Sequence, residues 1–188
     1  MLLATVLVIA GAKAETTPLQ HDLPEIQAAG QLRHLGIPYA NFVTGAGDGL
    51  DVDLVRMFCR EIGVAYVYVE TDWDRTCSDV TGLAFTRAGN EIVITGPAEV
   101  RGDMIAHGMT VLPWRQELVN FAEPMFPTQI WLIAPATAKV APIAPTGTPG
   151  GDIALTYRLV KGVSVLTKPD TFLDQKLFDL AGHGANVI

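Results

Sequence analysis

Cysteine, histidine and positive charge are all scarce in this chain. Two cysteines, Cys59 and Cys77, in 188 residues are too few to staple a fold, and neither has the spacing of a metal site. The four histidines are scattered, so no metal centre is expected. Lys and Arg number 13 against 20 acidic residues, a net charge of −7, and no basic run forms a stripe. Nucleic acid and anionic membrane surfaces are therefore poor partners, and an anion could bind only through a local site. After residue 14 no apolar stretch is long enough to span a bilayer. No Ser/His/Asp, Cys/His or paired-carboxylate constellation is evident, so no catalytic residue and no cofactor is assigned. There is no internal repeat.

What remains is a globular chain, 49% hydrophobic and 18% charged, of a size for one ordinary domain or two small lobes. Its start, "MLLATVLVIAGAKAETTPLQ", carries a short apolar run from Leu2 to Ile9. Ala12-Lys13-Ala14 then has the small-x-small spacing of a signal-peptidase site, although no Lys or Arg precedes the run. Residues 1–14 are read as a signal peptide, and the alternative is a buried first strand.

The next segment holds a short helix and a strand near Leu32–Leu35. "DGLDVDLVRMFCREIG" reads as a helix, with Asp51 and Asp53 as N-terminal acids, Gly63 as its stop, and Val55, Phe58 and Ile62 on its apolar side. That placing makes Cys59 a small buried thiol. "VAYVYVE" alternates as a strand, "TDWDRTCSDVTG" is a loop or helix start, and "NEIVITGPAEVRG" a hairpin-like insertion. Residues 103–107 are read as a strand, 113–119 as a short helix with Pro113 in its first turn, and 129–134 as an apolar strand. The Pro/Gly-rich stretch 136–151 marks a linker. Beyond it come a helix ending at Gly162, the strand "VSVLT", a helix opened by a Thr171-x-x-Asp174 capping box, and a final strand in "ANVI". The order is that of an α/β protein of two lobes, the second incomplete.

Ligands of open α/β sheets sit where strands end and helices begin. Residues 103–115 have that layout, and the first amides of a helix are free to meet an anion. Gly108 lets backbone approach a ligand, Thr110 adds a hydroxyl, and Arg115 adds a donor fork suited to a carboxylate. On these grounds alone Arg115 reads either as a solvated surface residue or as a carboxylate grip.

Gly108-Met109-Thr110, Arg115, Val119, Phe121 and Glu123-Pro124, with "GDGLDVDLVRMFCREIGV" upstream, resemble the first-lobe signature of the extracellular solute-binding proteins of family 3. These are receptors for amino acids and similar solutes that serve ABC importers. The resemblance covers about residues 30–188 and implies a periplasmic-binding-protein type II-like α/β fold, with a complete first lobe and a partial second. It assigns 25–127 to lobe 1, 128–135 to a hinge crossing strand and 152–188 to the partial lobe 2, and it implies hinge closure on the solute.

In the family the residue matching Arg115 grips the ligand α-carboxylate, helped by the one matching Thr110, and the backbone at Gly108 accepts from the ligand ammonium. Trp73 and Tyr39 match aromatic walls, although both read equally as core residues. Thr171 resembles the turn of the second lobe that closes on the carboxylate. The sequence departs from the pattern at Leu50, Leu112 and Asp170. Arg33 and His34 also stand where an acid commonly holds the ligand ammonium.

The expected partners are thus a small carboxylated solute, such as an amino acid or a relative, and an ABC permease of the inner membrane. The expected location is the periplasm, with no enzymatic activity. Two alternatives stand beside this reading: the non-catalytic N-terminal domain of a membrane-bound lytic transglycosylase, or a sensor domain.

Overall fold

The computed structural model describes residues 22–88, 91–125, 130–168 and 171–188. The signal peptide expected at 1–14, residues 128–129 of the expected crossing strand, and Asp170 lie outside them. The chain divides into two compact units, Met1–Asn120 and Phe121–Ile188.

In the first unit, helix α1 (Leu23–Ala29) begins with Pro24 in its first turn and ends on Gly30 in the left-handed region. Strand β1 (Gln31–Gly36) follows, then helix α2 (Leu50–Ile62) and strand β2 (Ala65–Glu70). Strands β1 and β2 pair in parallel from Gln31↔Ala65 to Gly36↔Glu70, a pairing that needs a crossover, which α2 supplies. Strand β5 (Met104–Ile105) joins the other edge of β1, also in parallel, giving the order β2-β1-β5. As the central strand, β1 is covered on both faces, and Leu32, His34 and Leu35 are fully buried.

Helix α2 carries Asp51 and Asp53 in its first turn, where the helix dipole favours negative charge, and stops at Gly63. Its inner face is Val52, Val55 and Cys59, spaced by three and four residues. The expected apolar side was centred on Phe58, and that placement is corrected: Phe58 is exposed, whereas Val55 stays inside. Two apolar stripes compete on this helix, and Leu32 selects the one bearing Val55 and Cys59. Those three residues and Ile26 make the core, with Ile62, Val64, Tyr66, Met104 and Ala106 packed around it. Cys59 and Cys77 are both buried free thiols.

The remainder of this unit braces the sheet. Helix α3 (Thr76–Thr81) follows β2, and β3 (Leu83–Ala88) with β4 (Glu91–Pro97) forms an antiparallel hairpin with an irregularity at Ala84/Phe85. Asp79 of α3 accepts from the Thr71 hydroxyl at 2.7 Å and from the Arg101 guanidinium at 2.8 Å. Arg33 forms a two-point grip on Asp103, with its Nη2 2.6 Å from Oδ1 and its Nε 3.1 Å from Oδ2. These pairs fasten the segment that leads into β5.

The second unit is smaller. Helix α5 (Pro149–Leu159) is capped by Thr148, whose hydroxyl accepts from the Gly151 amide at 3.2 Å. The strands β6 (Ser164–Val165) and β7 (Asn186–Val187) pair in parallel beside a core of Val160, Val165 and Ala185. Two expectations are corrected here. Residues 130–135 form no strand, because β-prone side chains make a strand only against a partner. Ile130, Trp131, Leu132 and Ile133 are instead exposed.

The helix expected from Thr171 shrinks to a single 3-10 turn, Gln175–Leu177, capped by the Asp174 side chain. The Thr171 hydroxyl is used locally: it donates to the Lys168 carbonyl at 2.9 Å and accepts from the Leu173 amide at 3.0 Å. Such bonds compete with helix formation. Among the described residues, no helix is long and apolar enough to cross a membrane.

Candidate functional site

All three strands of the first sheet run the same way, so their carboxyl ends share one edge. The chain leaves β1 toward β2 on one side and has β5 on the other, the arrangement that opens a crevice at strand ends. Tyr39 follows β1, Trp73 follows β2, and the turn 106–112 leading to helix α4 (Pro113–Gln116) follows β5. Of the six residues expected at the site, four therefore arise on loops at one edge and a fifth, Arg115, on the short helix that follows them. Thr171 belongs to the second unit and is described there by itself.

Aromatic rings line this edge. The turn at 39–43 closes when the Tyr39 amide donates to the Val43 carbonyl at 2.8 Å, and it stacks Phe42 on Tyr39 with centroids 6.2 Å apart. Trp73 meets Tyr39 edge-on at 5.6 Å and His107 edge-on at 4.6 Å. Trp73 remains 37% exposed, so it is not a core residue.

Arg115 is 5% exposed. Its Nη1 donates to the Thr110 carbonyl at 2.9 Å, and its guanidinium carbon lies 5.8 Å from the Trp73 ring and 5.1 Å from the Trp114 ring. Among the described residues no carboxylate pairs with it, and its buried Nε has no hydrogen-bond partner. Burial pulls its pKa below the ordinary arginine value; the Cys77 thiol opposes this and the Arg87 guanidinium adds to it. A buried guanidinium set against two indoles, with no acid paired to it among the described residues, is an arrangement that an anion relieves.

The details of the cradle differ from expectation. Helix α4 is one turn long, Pro113 has no N–H, and the Arg115 amide donates to the Leu112 carbonyl. The Arg115 amide is therefore engaged within its own turn, and the residue's remaining donors are those of the guanidinium. Thr110 contributes its carbonyl, which orients Arg115. The Gly108 amide is not free either: it donates to Asp51 Oδ2 at 2.6 Å. Asp51 was expected only as a helix-dipole acid, yet it is buried and ties α2 to the turn after β5.

Gly108 has φ +70, and a Cβ there would lie 2.6 Å from the Phe42 ring. Its glycine is required by close packing with Phe42. Gly108→Ala is expected to cost about 2 kcal/mol, from the left-handed backbone and the ring displaced together. Urea denaturation measures it, and an unchanged midpoint would show that Phe42 can move aside freely.

His107 was missed at the sequence level. It is fully buried, with Nε2 3.4 Å from the Thr76 hydroxyl and Nδ1 unpartnered among the described residues. Burial, with smaller contributions from Arg115 and His34, lowers its pKa to about 4. The available signal was its position, a polar residue closing the apolar run Met104–Ala106 directly before the Gly108 turn. His34, by contrast, has both nitrogens engaged, by the Tyr66 hydroxyl and the Ala106 carbonyl. Arg33, which occupies the region of the family's ammonium-binding acid, is held by Asp103.

Solved structures share this fold. An ancestral amino acid-binding protein, a precursor of cyclohexadienyl dehydratase, matches over 88% of this chain and 63% of that one, with a TM-score of 0.59 and 22% identity. A mutant of ArgBP from T. maritima matches over 88% of this chain and 61% of that one, with a TM-score of 0.50 and 17% identity. An ancestral cyclohexadienyl dehydratase aligns over 55% of this chain and 38% of that one at 25% identity, with a TM-score of 0.44. No family model matches the chain, and no curated protein matches its sequence.

The first two likenesses establish the architecture: this is the α/β fold of the type II periplasmic binding proteins. The chain spans 63% and 61% of the lengths of those two structures.

Proposed function

We propose that the chain is a solute-binding receptor of the extracellular family 3 type. It would capture a small carboxylated solute, an amino acid or a relative, in the periplasm for delivery to an ABC permease. The observation that carries this reading is Arg115: buried, without an acid partner among the described residues, and set beside Trp73 at the carboxyl edge of a parallel sheet.

In this reading Arg115 binds the carboxylate through its free donors and Thr110 fixes the guanidinium. Trp73 and Tyr39 supply the apolar walls, and Gly108 keeps the turn tight. Thr171 is the contact assigned to the second unit. The solute's ammonium, where it has one, finds no partner in Arg33, whose counterpart position in the family is acidic. Solutes without an α-ammonium therefore belong in any test panel.

Calorimetric titration of the full chain with L-amino acids and with acetate, succinate and benzoate tests the proposal. Saturable heat with at least one of them, abolished in Arg115→Ala, is the expected result. No heat with any of them, or binding indifferent to that substitution, refutes it.

A further inference from the structure

His107 lies two residues beyond β5, immediately before Gly108, and its ring is held between two neighbours. One is the Thr76 hydroxyl of α3, 3.4 Å from Nε2. The other is the Trp73 indole, edge-on at 4.6 Å. Nδ1 is the ring's remaining polar atom, and no described group satisfies it. Buried polar atoms are almost always partnered, and an exception asks for an explanation.

The same indole lies against the Arg115 guanidinium, whose Nε is also buried and unpartnered. Both unpartnered nitrogens belong to side chains that pack on the Trp73 indole, one cationic and one an imidazole. His34, one layer below on β1, has both ring nitrogens engaged, so an unsatisfied imidazole is not a general feature of this core.

We propose that His107 is a specificity-determining residue that donates an Nδ1 hydrogen bond to the ligand carboxylate held by Arg115. This rests on the receptor reading above. In the tautomer in which Nε2 accepts from the Thr76 hydroxyl, 3.4 Å away, the ring proton sits on Nδ1 and is available to donate. A neutral donor beside a cation lets one carboxylate oxygen be bound without a second positive charge. It also favours a carboxylate over the corresponding carboxamide, whose NH2 group would meet a donor. Depression of the His107 pKa to about 4, chiefly by burial, keeps the imidazole neutral at ordinary pH.

The test uses the tightest-binding member of the panel above, its carboxamide, and three forms of the full chain: wild type, His107→Phe and His107→Asn. The phenylalanine keeps the aromatic contact with Trp73 but has no donor. The asparagine amide nitrogen occupies the place of Nδ1. Affinity for the carboxylate is expected to fall about ten- to hundredfold in His107→Phe and to be largely restored in His107→Asn. The preference for carboxylate over carboxamide should shrink only in the phenylalanine variant.

If His107→Phe does not fold, the Asn variant and 15N NMR of the wild-type imidazole decide, with the Nδ1 resonance expected to shift on saturation. Failure of every probe to bind the wild type, or binding unaffected by Arg115→Ala, overturns the receptor reading and this inference together. Binding that depends on Arg115 but is equal in all three forms, with an unmoved Nδ1 resonance, overturns the histidine's role alone.

Discussion

Arg115→Met is expected to raise the melting temperature of the ligand-free chain while destroying its affinity for a carboxylated solute. The guanidinium is buried with a single protein hydrogen bond, to the Thr110 carbonyl, and no acid among the described residues offsets its desolvation. Replacing a poorly compensated buried charge with an apolar side chain of similar length is commonly stabilising. The released Thr110 carbonyl takes back part of that gain, which leaves about 1–2 kcal/mol, or roughly 2–8 °C for a chain of this size.

Binding moves the other way. Losing one member of a buried charge-assisted pair costs about 2–5 kcal/mol, a loss on the order of 30- to 5,000-fold in affinity. A lysine at the position keeps the charge but not the fork, so it should recover little. Thermal denaturation and calorimetry on the same preparations measure both effects. A variant that melts lower and binds normally would mean that the guanidinium is a structural group.

The second large effect is acid sensitivity. His107 has a folded-state pKa of about 4 against 6.5 when exposed, so the unfolded chain binds the extra proton throughout that window. Stability contributed by the neutral ring is therefore complete above pH 6.5 and is lost as pH falls toward 4. The interval corresponds to about 3 kcal/mol. Carboxylates that titrate in the same range add to the fall, so the diagnostic quantity is a difference. The stability of wild type minus that of His107→Phe should decline between pH 6.5 and 4 and stay level above it. Parallel pH profiles for the two would show that the imidazole protonates in place without penalty.

How much of this was legible beforehand follows from whether a residue's role is local. Helix α2 with its stop at Gly63, strand β2, and the body of helix α5 are set by periodicity within a few residues and were readable. The ends of α5 differ: its start at Thr148-Pro149 falls inside the linker expected at 136–151, and its end at Leu159 precedes the expected stop at Gly162. The phase of α2 was not readable: Phe58 and Val55 lie on adjacent faces, and only Leu32 on another element decides between them. The apolar segment 129–134 has strand composition, but composition cannot supply the neighbour that a strand requires.

Thr171 satisfies the letter of a capping box, yet its hydroxyl closes its own turn and Asp174 caps instead. At the site, Arg115 was singled out by the family resemblance, since its position after a glycine turn left a solvated surface role open. Its burial comes from Trp73 and Trp114. The parts played by Gly108, Asp51 and His107 were not legible. A ring from residue 42, an amide 57 residues from its acceptor, and an indole from residue 73 define them, and nothing near those positions in the chain announces such partners.

The order in which the sheet is threaded sets when the chain can first act. Strand β1 waits for β2, some 35 residues on, and for β5, some 70 residues on, whereas the β3–β4 hairpin closes on itself. Distant pairings form late because a long loop must be closed before they are rewarded. The residues around Arg115 follow the most remote of these strands, so within the first unit a chain emerging from its N-terminus would acquire the hairpin early and the surroundings of Arg115 last. Solute added during refolding should consequently leave the early phase untouched and slow only the unfolding of the finished sheet.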